Sequence, residues 1–359
     1  VSIALIALIV LWWALIVYAV LGGADFGAGV WDLFAAGRDA RRQHELINHA
    51  LGPVWEANHV WLIFLIVGLF SVFPTAFAAL SIALFFPITI ALIGIVLRGA
   101  AFVYRYYAVS EESLFARAWG RVFSIMSIAT PFFLGVAAAA VASGRLVNAQ
   151  GVAQAGNIFA WLSPFTVVIG VMAIALCATI AAIYLVVEAR DTIHDTQLTR
   201  SYRLNALAAG AITALLGAAG LLLSSSEAPL IWQGMLSHAL PLVIITMLIG
   251  IATAVALFLQ RFRLARILII AEAAFMLGAW GLSQYPYVIP PYYTIESSAN
   301  VPSAILALLI GMAVGMCILL PSLYYLFSVF KLPYPIPGLR KSVQSQASAH
   351  KSDCQKQAL

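Results

Sequence analysis

Eighteen of the nineteen lysines and arginines in this chain fall into alternate loops between long apolar runs. One set of loops holds Arg38/Arg41/Arg42, Arg98/Arg105/Arg117/Arg121, Arg190/Arg200/Arg203, Arg261/Arg263/Arg266 and Lys331 with the tail; the other set holds only Arg145. Loops rich in Lys and Arg stay on the cytoplasmic side of a membrane. The chain therefore reads as an all-α integral membrane protein. Of its 359 residues, 63% are hydrophobic and 9% charged, against about 25% charge in a soluble domain. The net charge of +5 then belongs at the lipid interface and points to no nucleic acid.

A crossing helix needs about 20 apolar residues. Nine runs meet this, at roughly 2–24, 54–73, 76–99, 120–142, 159–186, 203–223, 235–259, 264–282 and 302–328. An odd count places the N-terminus outside and the C-terminus in the cytoplasm. The expected architecture over 1–330 is two four-helix bundles, 1–142 and 159–282, with an extra peripheral helix at 302–330. Residues 331–359 are rich in Ser, Gln and Lys, and the composition predicts a disordered cytoplasmic tail. The first run reads as a span rather than a cleavable signal, followed by an amphipathic stretch over 25–50. Externally, 71–75 reads as a tight Pro turn and 143–157 as irregular. Tyr285, Tyr287, Tyr292 and Tyr293 alternate with prolines, as an aromatic belt at the interface or as a folded lid over a partner.

Charge inside a bilayer is expensive, so the buried charges carry the information: Asp25, Glu56, Arg98 and Glu272. All four lie toward the arginine-rich side. Arg98 is placed either at the interface by snorkelling or in a pair, and Glu272 is placed against Arg266 or Arg98. Asp25 lies in Gly22–Gly29, where four glycines in eight residues admit a close neighbour. Desolvation there works against the charged carboxylate, as a proton relay requires. Gly23/Gly27 and Gly311/Gly315 are spaced for close helix contact. From Asn48 to Trp61 a second segment carries Glu56 and His59 on one face, with Trp55, Asn58 and Trp61 as a neighbouring stripe.

A buried haem usually takes a histidine in mid-helix, often one facing another. The histidines instead cluster as His44, His49 and His59 near one helix start, with His194, His238 and His350 in loops and tail. His44 and His49 read as solvated interfacial side chains, and no haem is expected in this chain. Cys177, Cys317 and Cys354 form no CxxC, so no metal site is expected either.

These segments resemble subunit II of the cytochrome bd-type quinol oxidases. Gly22–Gly29 is similar to the family's Asp-Gly-Phe-Asp-hydrophobic-Gly-x-Gly segment. Asn48–Trp61 resembles its Ile-Asn…Pro-x-Trp-Asp-x-Asn…Trp segment, and Tyr285–Pro290 its Phe-Pro-Phe-Val-x-Pro segment. The chain departs at Gly22, where the family has its first aspartate, at Ala24, and at Glu56, which replaces an aspartate. The resemblance implies a heterodimer in a bacterial cytoplasmic (inner) membrane. Subunit I would carry haems b558, b595 and d, oxidise quinol and reduce dioxygen to water; subunit II would stabilise it, hold no haem, and contribute to proton delivery. A lipid-facing quinone and a small accessory subunit are also implied.

The residues expected to handle protons are Asp25 and Glu56, with Asn58 and His59 orienting them. Trp55, Trp61, Gly23 and Gly27 are expected to wall the site or meet the partner. Two rival readings use the same acids. One is an ion-coupled secondary transporter. The other is a structural subunit whose acids pair with a partner's arginines.

Overall fold

The computed structural model describes residues 2–35, 40–106, 114–148 and 150–331, with side chains at 48, 49, 51–57, 105, 106, 114, 116, 326, 327 and 329–331 outside that description. Long helices dominate: α1 (Ile3–Phe34), α2 (Ala40–Val72), α3 (Pro74–Ala83), α4 (Phe85–Tyr106), α5 (Leu114–Ser143), α6 (Ile158–Trp161), α7 (Pro164–Asp191), α8 (Thr196–Glu227), α9 (Pro229–Ser237), α10 (Leu240–Phe258), α11 (Phe262–Gln284), α12 (Ile295–Ser298) and α13 (Pro302–Lys331). Among the described residues eight helices are long and apolar enough to cross a membrane, or nine with the bent pair α2–α3 counted as one span. The chain divides into two compact units, Val1–Val314 and Gly315–Leu359.

Within the first unit α1 packs against α2 and α5, and α4 against α5; α7 packs against α8 and α11, and α10 against α11 and α8. Each half turns the same corner. Val72 ends α2 and Pro74 opens α3; Glu227 ends α8 and Pro229 opens α9. The corner residues Phe73 (φ −126°, ψ 61°) and Ala228 (φ −138°, ψ 60°) share one backbone conformation. Proline suits the first helical position because its missing N–H would be unpaired there in any case. At α2–α3 the axes bend by 118°.

Two expectations are corrected. Helix α1 does not stop at residue 24 but runs unbroken through the glycine segment to Phe34. Glycine weakens a helix in water by about 1 kcal/mol; here every residue from Gly22 to Val30 is buried and packed. Likewise α2 begins at Ala40 rather than near residue 54. The peripheral helix is anchored at its start, where Ile305 is fully buried in the core.

Helix α7 sits against α1, α5, α8 and α11. Its crossing with α1 rests on Gly27: a Cβ there would collide with the Cys177 carbonyl and the Ala181 methyl. Trp31 Nε1 donates to the Ala178 carbonyl at 2.8 Å beside this contact. Lipid gives apolar helices no drive to associate, so close backbone approach and cross-helix hydrogen bonds hold them. Gly311, by contrast, faces open space.

At the end carrying Arg145 the loops fold over the bundle. A hairpin pairs β1 (Tyr287–Ile289) with β2 (Tyr293–Thr294), burying Val288 and Ile289. The Tyr293 hydroxyl donates to the Gly151 carbonyl at 2.9 Å, and Asn300 donates to the Ser71 and Val72 carbonyls at the α2–α3 corner. The tyrosine-proline segment is thus a folded element.

Gly27→Ala is expected to destabilise the solubilised protein by about 1–3 kcal/mol, the cost of overpacking, while Gly311→Ala leaves it unchanged. Thermal melts of both variants in detergent check this.

Candidate functional site

Asp25 and Arg98 meet at the centre of the first bundle. Arg98 Nη1 reaches Asp25 Oδ2 at 2.5 Å, and Nη2 reaches Oδ1 at 2.7 Å and the Asp25 carbonyl at 2.9 Å. Nε donates to Ser127 Oγ at 2.8 Å. Both charged side chains are 2% exposed or less. The guanidinium lies over the Phe26 and Phe123 rings at 5.0 and 4.6 Å, a cation–π arrangement. A two-toothed arginine–carboxylate contact is the strong, directional form of this pair. Gly29 makes it possible, since a Cβ there would strike the Ser127 side chain.

Arg98 therefore does not snorkel; it is buried against Asp25. Glu272 pairs with neither arginine among the described residues. It sits between α10 and α11 with Thr253 Oγ1 at 3.5 Å, and Arg266 lies over the Tyr184 ring instead.

One turn from Asp25, Gly22 leaves room for Asn58: a Cβ at Gly22 would lie 3.3 Å from its amide. Asn58 is 2% exposed, and its Oδ1 has no hydrogen-bond partner among the described residues. The Tyr18 hydroxyl, two turns from Asp25, is buried and unpaired in the same way. His59 points elsewhere, lining a lateral groove of about 470 Å³ with Ile95, Val96, Gly99, Ala100, Val103 and Tyr104. Trp61 is half-buried against Phe64. The side chains of Trp55 and Glu56 lie outside the described residues. Gly23 and Gly27 face α7, against Ile180 and Cys177, so they serve helix packing within the chain.

Toward the arginine-rich end, Asp32 is 6% exposed. Its Oδ1 lies 2.6 Å from His44 Nδ1, and Ser124 donates to Oδ2 at 3.2 Å. His44 thus lies within hydrogen-bond distance of a buried carboxyl group rather than standing wholly in solvent. Asp32 went unnoticed in the sequence because it falls beyond the apparent end of the first span. Its signal was the spacing: seven residues after Asp25 is two helical turns, hence the same face.

The described histidines offer no facing pair at mid-membrane. His44 is held by Asp32, His194 by the Arg190 carbonyl and His238 by Ser237.

The family model described as "Cytochrome bd terminal oxidase subunit II" matches residues 3–330. A putative cytochrome bd menaquinol oxidase subunit II of Bacillus subtilis (strain 168) is 24% identical over 337 residues, covering 91% of this chain and 95% of that protein. Subunit 2 of the cytochrome bd-I ubiquinol oxidase of Escherichia coli (strain K12) is 28% identical over 192 residues, 51% of this chain and 50% of that one. A bd oxidase chain from Geobacillus thermodenitrificans has a similar structure, with a TM-score of 0.73 and 26% identity over 92% of this chain and 99% of that chain.

Arg98→Ala should cost about 3–5 kcal/mol, the penalty for leaving a buried charge unpaired, and Arg98→Lys less, because the ammonium keeps the charge but cannot make the two-toothed contact. Folded yield and melting temperature after solubilisation measure it.

Proposed function

We propose that this chain, which belongs to the cytochrome bd terminal oxidase subunit II family, stabilises the haem-bearing subunit I of its quinol oxidase complex and supplies part of its proton route. The single supporting observation is the buried polar column on the arginine-rich side of the first bundle, centred on Asp25 and Arg98. Membership in an oxidase family takes the place of the transporter reading.

Reduction of dioxygen to water consumes one proton for each electron, so protons must reach a site buried in the membrane complex. In this reading they come from the arginine-rich side, which is cytoplasmic by the positive-loop rule, with the N-terminus outside. Asp25 and Glu56 handle them, and Asn58, whose Oδ1 is buried without a protein partner, orients the donor. His59 and the groove it lines face the bilayer or a neighbouring chain in this reading, and Trp55 and Trp61 keep the expected role of walling the site or meeting the partner. Subunit I would hold haems b558, b595 and d and oxidise the quinol; a quinone and a small accessory subunit complete the assembly.

A second reading rests on the same pair. Both Asp25 oxygens are taken by Arg98 of the same chain, as a purely structural tie would have them.

The complex purified on a tag carried by this chain is expected to show b- and d-type haem bands in a reduced-minus-oxidised spectrum. An intact but haem-free preparation would sink the oxidase reading. Asp25→Asn combined with Glu56→Gln is expected to slow quinol-driven oxygen consumption by about tenfold or more, on the scale of a lost proton-transfer group. Full turnover at every pH, with the haem bands kept, would leave the structural tie.

A further inference from the structure

Asp32 and His44 form a second titratable pair in the first unit, apart from Asp25 and Arg98. His44, on α2, is one-third exposed, while the Asp32 carboxylate, on α1, is 3% exposed. They stand 2.6 Å apart. One end of this pair is open to the arginine-rich side and the other is closed. From the closed end the polar groups continue inward. Ser124 Oγ donates to Asp32 Oδ2. Ser127 is three residues further along α5, on the same face, and accepts from Arg98 Nε, whose guanidinium holds Asp25. Asp32 and Asp25 are about 10.5 Å apart along α1 at 1.5 Å per residue. Gly29 lies between them and clears the space that the Ser127 hydroxyl fills.

We infer that His44 and Asp32 are the proton-collecting mouth of the route that leads to Asp25, with Ser124 as its first inward step. This rests on the proton-supply reading above and adds residues to it. Asp32 is a buried acid nearer the arginine-rich side than Asp25.

The step needs only water as a further reactant. His44 takes a proton from solvent at its exposed edge and gives one from Nδ1 to the Asp32 carboxylate, which becomes a neutral carboxyl. That carboxyl turns and gives its proton to the Ser124 hydroxyl beside it, which passes one to a water molecule on its inward side in the same step. Asp32 is then again a carboxylate and Ser124 a hydroxyl, the imidazole regains its Nδ1 proton by exchange with solvent, and one proton has entered for the one that leaves.

Among the described residues, the groups facing Asp32 include His44 from α2, Ser124 from α5 and the Tyr202 phenol from α8, whose hydroxyl is buried with no hydrogen-bond partner among them. On its own helix the nearest acid is Asp25.

The test uses the whole oxidase complex in membrane vesicles, reading quinol-driven oxygen consumption against pH and the reduced-minus-oxidised haem spectrum. Asp32→Asn is expected to lower turnover by about tenfold or more with an unchanged spectrum, and Asp32→Glu to restore most of it. His44→Gln is expected to show a deficit that grows as pH rises, when protons are scarcer and a collecting group matters most. A structural role alone would not produce that slope.

Native turnover in both Asp32→Asn and His44→Gln across the pH range, while Asp25→Asn with Glu56→Gln is slow, would overturn the mouth and leave the route. Native turnover in all of them would remove the route itself. Should Asp32→Asn lose its haem, the half-buried His44→Gln and the isosteric Ser124→Ala decide: a flat, native pH profile in both overturns the inference.

Discussion

The fold of the first bundle turns on one ion pair. Arg98 comes from α4, Asp25 from α1 and the Ser127 hydroxyl from α5, so a single guanidinium ties three helices at one level. In a medium without water each unmet charge or donor is costly. Such a pair is tolerable only when it is complete, and this one nearly is. Both carboxylate oxygens, one backbone carbonyl and one hydroxyl accept from the guanidinium, and two phenyl rings cover it. The surrounding glycines follow from this demand: Gly29 admits Ser127 and Gly22 admits Asn58.

The second constraint is backbone proximity. Helix α7 packs against α1, α5, α8 and α11, and it approaches α1 closely enough that Gly27 and the Cys177 carbonyl leave no room for a methyl group. Hydrogen bonds from Trp31 to the Ala178 carbonyl and from Trp12 to the Leu277 carbonyl secure α1 against α7 and α11. Helix starts are handled locally: Ser163 and Thr166 form a capping box at α7, and Asp195 caps α8. The Pro74 and Pro229 corners share one backbone conformation, at Phe73 and Ala228.

Part of the site was legible in the residues. Asp25 and Arg98 stood out because charge in an apolar run is rare, and Gly23 with Gly27 because their spacing suits a helix contact. What escaped was the continuation of α1 past residue 24. Local helix propensity reads four clustered glycines as a stopping place; packing against α5 and α7 reverses that, because there the missing side chains are what the neighbours need. Once α1 reaches Phe34, Asp32 falls on the face of Asp25, and α2 begins early enough for His44 to meet it. The same extension brought an apparent surface histidine within hydrogen-bond distance of a buried carboxyl group.

By itself the sequence determined that the chain lies in a membrane, in about nine helices, with its cations gathered on one side. These follow from transfer energies and charge placement, which act residue by residue and do not depend on who packs against whom. Only the tertiary structure decided that Arg98 chooses Asp25 over the interface or Glu272, and that His44 chooses Asp32. The partners in the first pair are 73 residues apart in the chain. Which distant groups meet is settled by which helix faces approach closely, and that depends on all the contacts of the bundle together.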